Sequence, residues 1–361
     1  MGKSKPSSKS HFPALPLLAN DNTDQLTIYT LLNHNYPFFS FLAPSYLLNC
    51  YKFFNQPMAQ NNTALVGLDL TKMDQVILEN IKKVIELLNL KKLYFTHVAT
   101  NLALPDDIAS TYPNLMAPVD ESIEKEIEKK IETLGLPAEV EVEVNAEEGD
   151  PMDSLLRWSK IKHVDFIVMG RKTALEGSGR LPKRIAQKAP ASVFFVTEDM
   201  GQNQLQKLLV PIDFSEHTEV VLGKVENFIK EKKEAEIRYI HLYDVPIGYH
   251  KTGKSYEEFA EIMKENAMKE FDKMVKKHKI EDHPCDFVLN KDSIKADDIL
   301  KDALDKNIDL VVIGSRGRSN SAALLLGSVA ERLVEINYKV PMLVIKRKGE
   351  NMNFLQALLN I

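Results

Sequence analysis

The sequence predicts an α/β protein built from two tandem modules, each a doubly wound, five-stranded parallel sheet covered by helices. Three observations predict it. The first is an internal repeat. Leu65-Val-Gly-Leu-Asp69 echoes Leu209-Val-Pro-Ile-Asp213, Tyr94-Phe-Thr-His97 echoes Arg238-Tyr-Ile-His241, and residues 164–170 echo residues 308–314. The offsets from 69 to 213, from 97 to 241 and from 170 to 314 are all 144 residues. A chance echo does not hold one register across three strands. The second observation is alternation: short apolar runs alternate with amphipathic stretches of helical period, as in a parallel sheet covered by helices. The third is a strand that runs into a spaced set of glycines at residues 310–329.

The elements of the first copy follow in order. Residues 64–68 form an apolar strand, and 75–88 a helix with Val76, Ile77, Val84, Leu87 and Leu88 turned inward. Residues 93–98 make the second strand and 121–134 a charged amphipathic helix. Residues 140–144 alternate Val and Glu, as an edge strand does. Asp150-Pro151 pairs an N-cap residue with proline at the first helical position, and that helix runs past Trp158. Strands at 166–169 and 193–196 complete the copy, and the second copy repeats this order. The modules are therefore set at 58–199 and 205–348, joined by the polar, turn-like Met200-Gly-Gln-Asn-Gln204.

Composition bounds the function. The chain has 361 residues, 44% of them apolar, enough for two cores. A net charge of −5 gives no support for a nucleic-acid partner. Cys50 and Cys285 are the two cysteines; they make no disulfide framework, form no CxxC, and fit a reducing, cytoplasmic setting. Residues 1–57 lack any helical or strand period. Pro37, Pro44, Asn49 and Lys52 interrupt their aromatic part, so it is no membrane span. Pro6 spoils a myristoylation match after Gly2. This segment is read as a disordered extension or as preceding a true start at Met58, and the second reading is favoured. Residues 349–361 form a tail with Phe354, Leu355, Leu358 and Leu359 at helical spacing, suited to packing on the body or on a protein partner.

The stretch at 310–329 carries the chemistry. Leu310 to Ile313 is a buried strand; Gly314 and Gly317 follow, then nine residues, then Gly327-Ser328 and a helical pattern with Val329, Leu333 and Ile336 on one face. Glycines let backbone N–H groups approach an anion, and a helix start adds donors and a positive dipole end. Ser328 is read as an N-cap or as a hydroxyl turned to phosphate. An ordinary strand–turn–helix explains the glycine spacing about as well.

The spacing Gly314-x-x-Gly317, nine residues, Gly327-Ser328 resembles the signature of ATP-binding universal stress proteins. Leu208-Leu-Val-Pro-Ile-Asp-Phe-Ser215 resembles that family's first strand, and Ile240-His241-Leu242 its second. The resemblance implies a Rossmann-like fold with strand order 3-2-1-4-5, so strands one and four meet where the order reverses, the usual ligand crevice. It implies ATP, with magnesium, as the ligand. Pro211, Asp213 and Leu242 would contact adenine and ribose, Ile313, Gly314 and Gly317 the sugar and first phosphates, and Gly327, Ser328 and Val329 the outer phosphates. By itself Asp213 reads equally well as a cap for the helix after Ser215. His97 and His241 read as satisfied buried histidines. The resemblance also implies association through the last strand. Two modules on one chain can satisfy this internally, with 193–196 beside 343–346 in a pseudo-dimer; a homodimer is optional.

The first copy departs from the signature. Thr173 stands where Gly317 stands, Arg180 replaces Ser328, and the loop from Gly170 to Gly179 is four residues shorter than that from Gly314 to Gly327. Binding is therefore expected at one ATP per chain, lost on Gly327→Val and kept on Gly179→Val. Arg171, Lys172, Arg180, Lys183 and Arg184 read as a solvated basic face. Gly248-Tyr-His-Lys-Thr-Gly-Lys-Ser255 satisfies the P-loop expression, but Asp244 to Ile247 separate it from the strand and Ser255-x-x-Glu258 is a capping box. Lys251 or Lys254 as a lid over phosphates is the softer reading. No catalytic residue is singled out, because no general base, nucleophile pair or paired carboxylates stand near the glycines. A nucleotide-dependent regulator with little or no turnover is the expectation; a slow ATP hydrolase or phosphotransferase and a ligand-free scaffold are the alternatives.

Overall fold

A computed structural model describes residues 62–100, 119–172, 180–202, 204–231, 235–278, 283–291, 294–317 and 325–347. The expected extension at 1–57, the tail at 349–361, and Thr173 and Gly179 lie outside the described residues. In the first copy the elements are β1 (Asn62–Leu68), α1 (Lys72–Leu88), β2 (Leu90–Ala99), α2 (Val119–Glu132), β3 (Glu141–Glu148), α3 (Pro151–Ile161), β4 (Phe166–Arg171), α4 (Leu181–Lys188) and β5 (Ser192–Thr197). The second copy has β6 (Lys207–Pro211), α5 (Glu216–Glu231), β7 (Glu236–Tyr243), α6 (Tyr256–His278), β8 (Cys285–Leu289), α7 (Lys295–Asp305), β9 (Leu310–Gly314), α8 (Ser328–Ile336) and β10 (Met342–Ile345). Among the described residues no helix is long and apolar enough to cross a membrane.

Local chemistry sets the helix ends. Thr71 caps α1 by accepting the Met73 N–H, and Asn89 ends it in the left-handed region at φ 47°. The inward face of α1 buries Met73, Ile77, Ile81, Val84 and Leu88. Asp150 caps α3 by accepting the N–H groups of Met152 and Asp153, with Pro151 in the first turn.

The described strands form one ten-stranded sheet in the order β3-β2-β1-β4-β5-β10-β9-β6-β7-β8. Each copy has the order 3-2-1-4-5, with parallel neighbours. The copies meet at β5 and β10, which pair antiparallel with Phe195 opposite Met342, Phe194 opposite Leu343 and Val193 opposite Val344. This pairing of the last strands gives each an inner neighbour. The outer strands are β3 and β8, and β3 carries Glu141, Glu143, Glu147 and Glu148, charges that discourage a further strand.

The core is layered by sheet face rather than by copy. Val66, Phe95, Phe194, Val210, Val312 and Leu343 belong to one apolar layer; Leu65, Ile167, Val193, Leu209, Val311 and Val344 belong to the other. Alternation along each strand sends neighbours to opposite layers. The joint does not behave as a free linker: Glu198–Gln202 is a 3-10 turn, and both Met200 and Leu205 are fully buried in the first layer.

Candidate functional site

In the second copy β6 and β9 are paired neighbours, with Leu208 opposite Leu310 and Leu209 opposite Val311. Beyond their carboxyl ends opens a crevice of about 460 Å³. Pro211, Asp213, Leu242, Ile313, Gly314, Gly317, Gly327, Ser328 and Val329, the nine residues singled out by sequence, all line it.

The backbone around them is closely fitted. Asp213 Oδ1 accepts the Ser215 N–H at 3.1 Å and the Thr218 hydroxyl at 2.9 Å. The loop after β6 is thereby closed just before α5. A Cβ on Gly317 would lie 2.5 Å from Asp213 Oδ2, so the Asp213 carboxylate would have to move to admit any other residue. At Gly314 a Cβ would sit 3.3 Å from both the Arg316 carbonyl oxygen and Val221 Cγ2, a tight but softer contact.

Gly327, not Ser328, is the N-cap of α8, at φ −71° and ψ 149°; Ser328 is the first helical residue. The difference follows from the hydrogen bonds. The Gly327 carbonyl accepts the first intrahelical bond, from Glu331 N–H, while its own N–H donates to the Ser315 carbonyl at 2.7 Å. The N–H groups of Ser328, Val329 and Ala330 are then the ones with no acceptor inside the helix. They and the positive end of the helix dipole stand at the crevice wall.

Sequence reasoning found Leu242 on β7 but missed the residues just after it and those on α6 and α7. Tyr243, Asp244, Met263, Asn266 and Lys295 also line the crevice. Asp244 bonds Lys295 at 2.5 Å and Asn290 at 2.7 Å. Burial would raise the Asp244 carboxyl, but these hydrogen bonds and the Lys295 charge hold it below the ordinary range. Lys295 was visible as a difference between copies, because the residue 144 positions earlier is Pro151.

Several readings are settled locally. His97 Nδ1 lies 3.1 Å from the Leu68 carbonyl and His241 Nδ1 2.9 Å from that of Ile212, and both rings are buried. The P-loop-like stretch contains a 3-10 turn at Tyr249–Thr252, followed by Gly253 at φ 73°. Ser255 and Glu258 form the reciprocal capping box at 2.8 and 3.1 Å. Lys251 and Lys254 are exposed and are not among the residues that line the crevice.

The first copy keeps a smaller crevice of about 230 Å³ at the equivalent place. Of its basic residues Arg180 and Arg184 are exposed, as the sequence suggested, but Arg171, Lys172 and Lys183 are not a solvated face. Lys172 is 6% exposed and pairs with Asp69. Arg171, also buried, donates to the Glu335 carbonyl at 2.8 Å and lies 4.2 Å from the centroid of Tyr338. Lys183 reaches Glu331 at 2.6 Å and Glu335 at 2.5 Å. Each of these three cations has a partner that holds it, two of them in the other copy. Asp74 occupies the position of Thr218 and accepts the N–H groups of Asp69 at 2.9 Å and Leu70 at 2.8 Å. Burial pushes the Asp74 carboxyl up to about 6, the nearby Asp69 charge adding to it against the two N–H bonds. Among the described residues no group of three or more His, Cys, Asp or Glu side chains is placed to hold a metal ion.

Comparison with known proteins follows the same division. The model of the universal stress protein family matches twice, at residues 61–197 and 204–346. The universal stress protein MJ0577 of Methanocaldococcus jannaschii is 33% identical over 159 residues, 40% of this chain and 96% of that protein. A second protein of that organism, MJ0531, is 32% identical over 152 residues, 41% of this chain and 85% of that protein. The crystal structure of a universal stress protein from Archaeoglobus fulgidus has a TM-score of 0.54 at 22% identity, covering 80% of this chain and 99% of that one. That likeness shows the fold. Two family matches, one on each copy and together spanning most of the chain, decide the question of kinship: this chain belongs to the universal stress protein family and carries its domain twice.

Proposed function

We propose that the second crevice binds ATP together with magnesium, and that the chain acts as a nucleotide-dependent regulator of a stress response with little or no turnover. One observation carries this reading: Gly317 is pressed against Asp213 beside the open N-terminus of α8, in a crevice lined by all nine expected residues. The volume of about 460 Å³ falls in the range of small-ligand sites. Backbone N–H groups of Ser328, Val329 and Ala330 would meet the outer phosphates, and Lys295 adds a cation at the rim. Magnesium would be carried by the phosphates themselves, as is usual for an ion that dehydrates reluctantly. Asp213 is tied by Ser215 and Thr218, which suits positioning rather than proton abstraction. The domain boundaries at 58–199 and 205–348 and a protein partner that reads the bound state belong to the same proposal.

Calorimetric titration of the full chain with magnesium–ATP tests it. The expected stoichiometry is one per chain. Gly317→Asp places a carboxylate against Asp213 and toward the phosphates, and should weaken binding by at least about 100-fold, roughly 3 kcal/mol, with the fold retained by circular dichroism. Unchanged affinity removes the site. Rapid multiple turnover that disappears with Gly317→Asp would replace the regulator by a hydrolase.

A further inference from the structure

We propose that Asn266, on α6, is the residue by which the second crevice selects an adenine base over a 6-oxopurine. The inference rests on the ATP reading of that crevice and adds what reads the base. It begins from the way the crevice crosses the sheet. α8 belongs to one apolar layer, through Ala330, Leu333 and Val334. α6 belongs to the other, through Met274 and Phe271, whose ring lies 5.7 Å from that of Tyr239 and 6.0 Å from that of Phe287. Both helices line the same crevice, so it runs across the strand ends from the start of α8 on one face to α6 on the other. Phosphates go to the α8 end, where N–H groups with no acceptor inside the helix meet the positive end of its dipole. The far end of an elongated nucleotide then meets α6. Met263, Asn266, Ala267 and Glu270 line the crevice at spacings of three and four, one face of that helix. The first crevice lacks such a wall: among the described residues none that line it comes from α2, and its volume is half as large.

Asn266 is the one amide among the described residues that line this crevice. It is exposed, and its side chain makes no hydrogen bond among the described residues. The carboxylates around it are committed. Asp244 holds Asn290 and Lys295, Asp213 holds Ser215 and Thr218, and Glu270 pairs with Lys273 at 2.7 Å. An amide presents one acceptor and one donor side by side. The adenine edge presents the complement, because its N6 amine donates and its N7 accepts. A 6-oxopurine presents two acceptors there, O6 and N7, and sets O6 against the amide carbonyl. Met263 and Ala267, on either side of Asn266 on the same face, give the flat ring an apolar surface to lie on. Only Ala260, Ala267 and Met274 of the 23 residues of α6 are buried, so the helix keeps its crevice-facing side chains accessible.

The test is calorimetric titration of the full chain with magnesium–ATP and with magnesium–inosine triphosphate. The two nucleotides share ribose, phosphates and N7, and differ only at position 6 of the purine and the adjoining N1. ATP is expected to bind at least about tenfold tighter. Asn266→Leu keeps the size of the side chain and removes both hydrogen-bonding groups, and should cut that ratio below about threefold, chiefly by weakening ATP. Asn266→Arg offers donors alone and should turn the preference toward inosine triphosphate. Residue 266 is exposed and both replacements are good helix formers, so the melting temperature of the free protein should hold. A merely structural role for Asn266 would move both affinities together and leave their ratio unchanged. Equal affinity of the original chain for the two nucleotides overturns the proposal and leaves the crevice a nucleotide site. So does an ATP preference that survives Asn266→Leu or Asn266→Arg. Binding of neither nucleotide removes the ATP reading itself, and this inference with it.

Discussion

Asp213 in the second crevice gives one carboxylate oxygen to Ser215 and Thr218 and lays the other beside Gly317. Its counterpart Asp69 gives one oxygen to Thr71 and the other to Lys172. The strands beneath are equivalent, and so are the histidines that bond the strand-one carbonyls. The difference lies at the rim. In the second copy that oxygen lies beside the Cα of a glycine at the crevice; in the first a lysine bonds it. A repeated scaffold can thus keep one fold while a few residues beyond the strand ends change the surroundings of the same carboxylate.

The largest effect tests whether the two crevices ride on one body. Phe194 is fully buried at the seam, opposite Leu343. Phe194→Ala should cost about 3–5 kcal/mol, and urea unfolding should show both copies lost in one transition. Two separate transitions would mean that each copy stands alone and that the shared apolar layers add little.

A smaller contrast separates two glycines within the second crevice. At Gly317 a Cβ meets Asp213 Oδ2 at 2.5 Å, whereas at Gly327 the nearest atoms are 3.5 Å away. Gly317→Ala forces a carboxylate held by Ser215 and Thr218 to move, and should weaken ATP binding about tenfold, ~1.4 kcal/mol. Gly327→Ala should change it less than about threefold, since Gly327 has an ordinary φ and its N–H is bonded to Ser315. The reverse order in a titration would show that the helix start, rather than the Asp213 contact, limits access. This also narrows the expectation for Gly327→Val, whose loss of binding now depends on the branched side chain reaching past the Cβ position.

Much of this was legible because period and repeat are local properties of a chain. The constant offset of 144 placed five strands per copy, and β-branched alternation assigned them. The nine crevice residues were legible because each falls in a short local pattern, at 208–215, 240–242 or 310–329, that resembles the family's signature. What escaped depends on approach in space. Asp244, Asn266 and Lys295 enter the crevice from elements distant in sequence. Arg171 looked solvated because composition does not show Glu335 and Tyr338 arriving from the other copy. Two cores, one per module, were the natural count from length. The continuous sheet instead distributes its apolar residues by face, which only the β5–β10 pairing makes possible.

The smallest effect is the one that reads the rim chemistry itself. Thr218 and Asp74 are equivalent positions, and each bonds the N–H of its aspartate, Asp213 or Asp69. Burial raises Asp74 from an ordinary 3.8 to about 6. Between those two values the folded chain holds a proton that the unfolded chain has lost, so stability from this group rises as pH falls from 6 toward 4. Above 6 the charge is a constant cost. Asp69 behaves oppositely: burial would raise it, but the hydrogen bonds from Lys172 and Thr71 and the Lys172 charge leave it lowered. Its contribution is lost only below the ordinary value, outside that window. Asp74→Thr installs the second copy's residue and removes the titration. The stability of the substituted protein minus that of the original should therefore fall between pH 7 and pH 4.5, by on the order of 1–3 kcal/mol, measured by thermal melts across the range. A difference that stays flat would show that the two N–H bonds hold Asp74 ionised throughout, and that the first rim carries two full negative charges against Lys172.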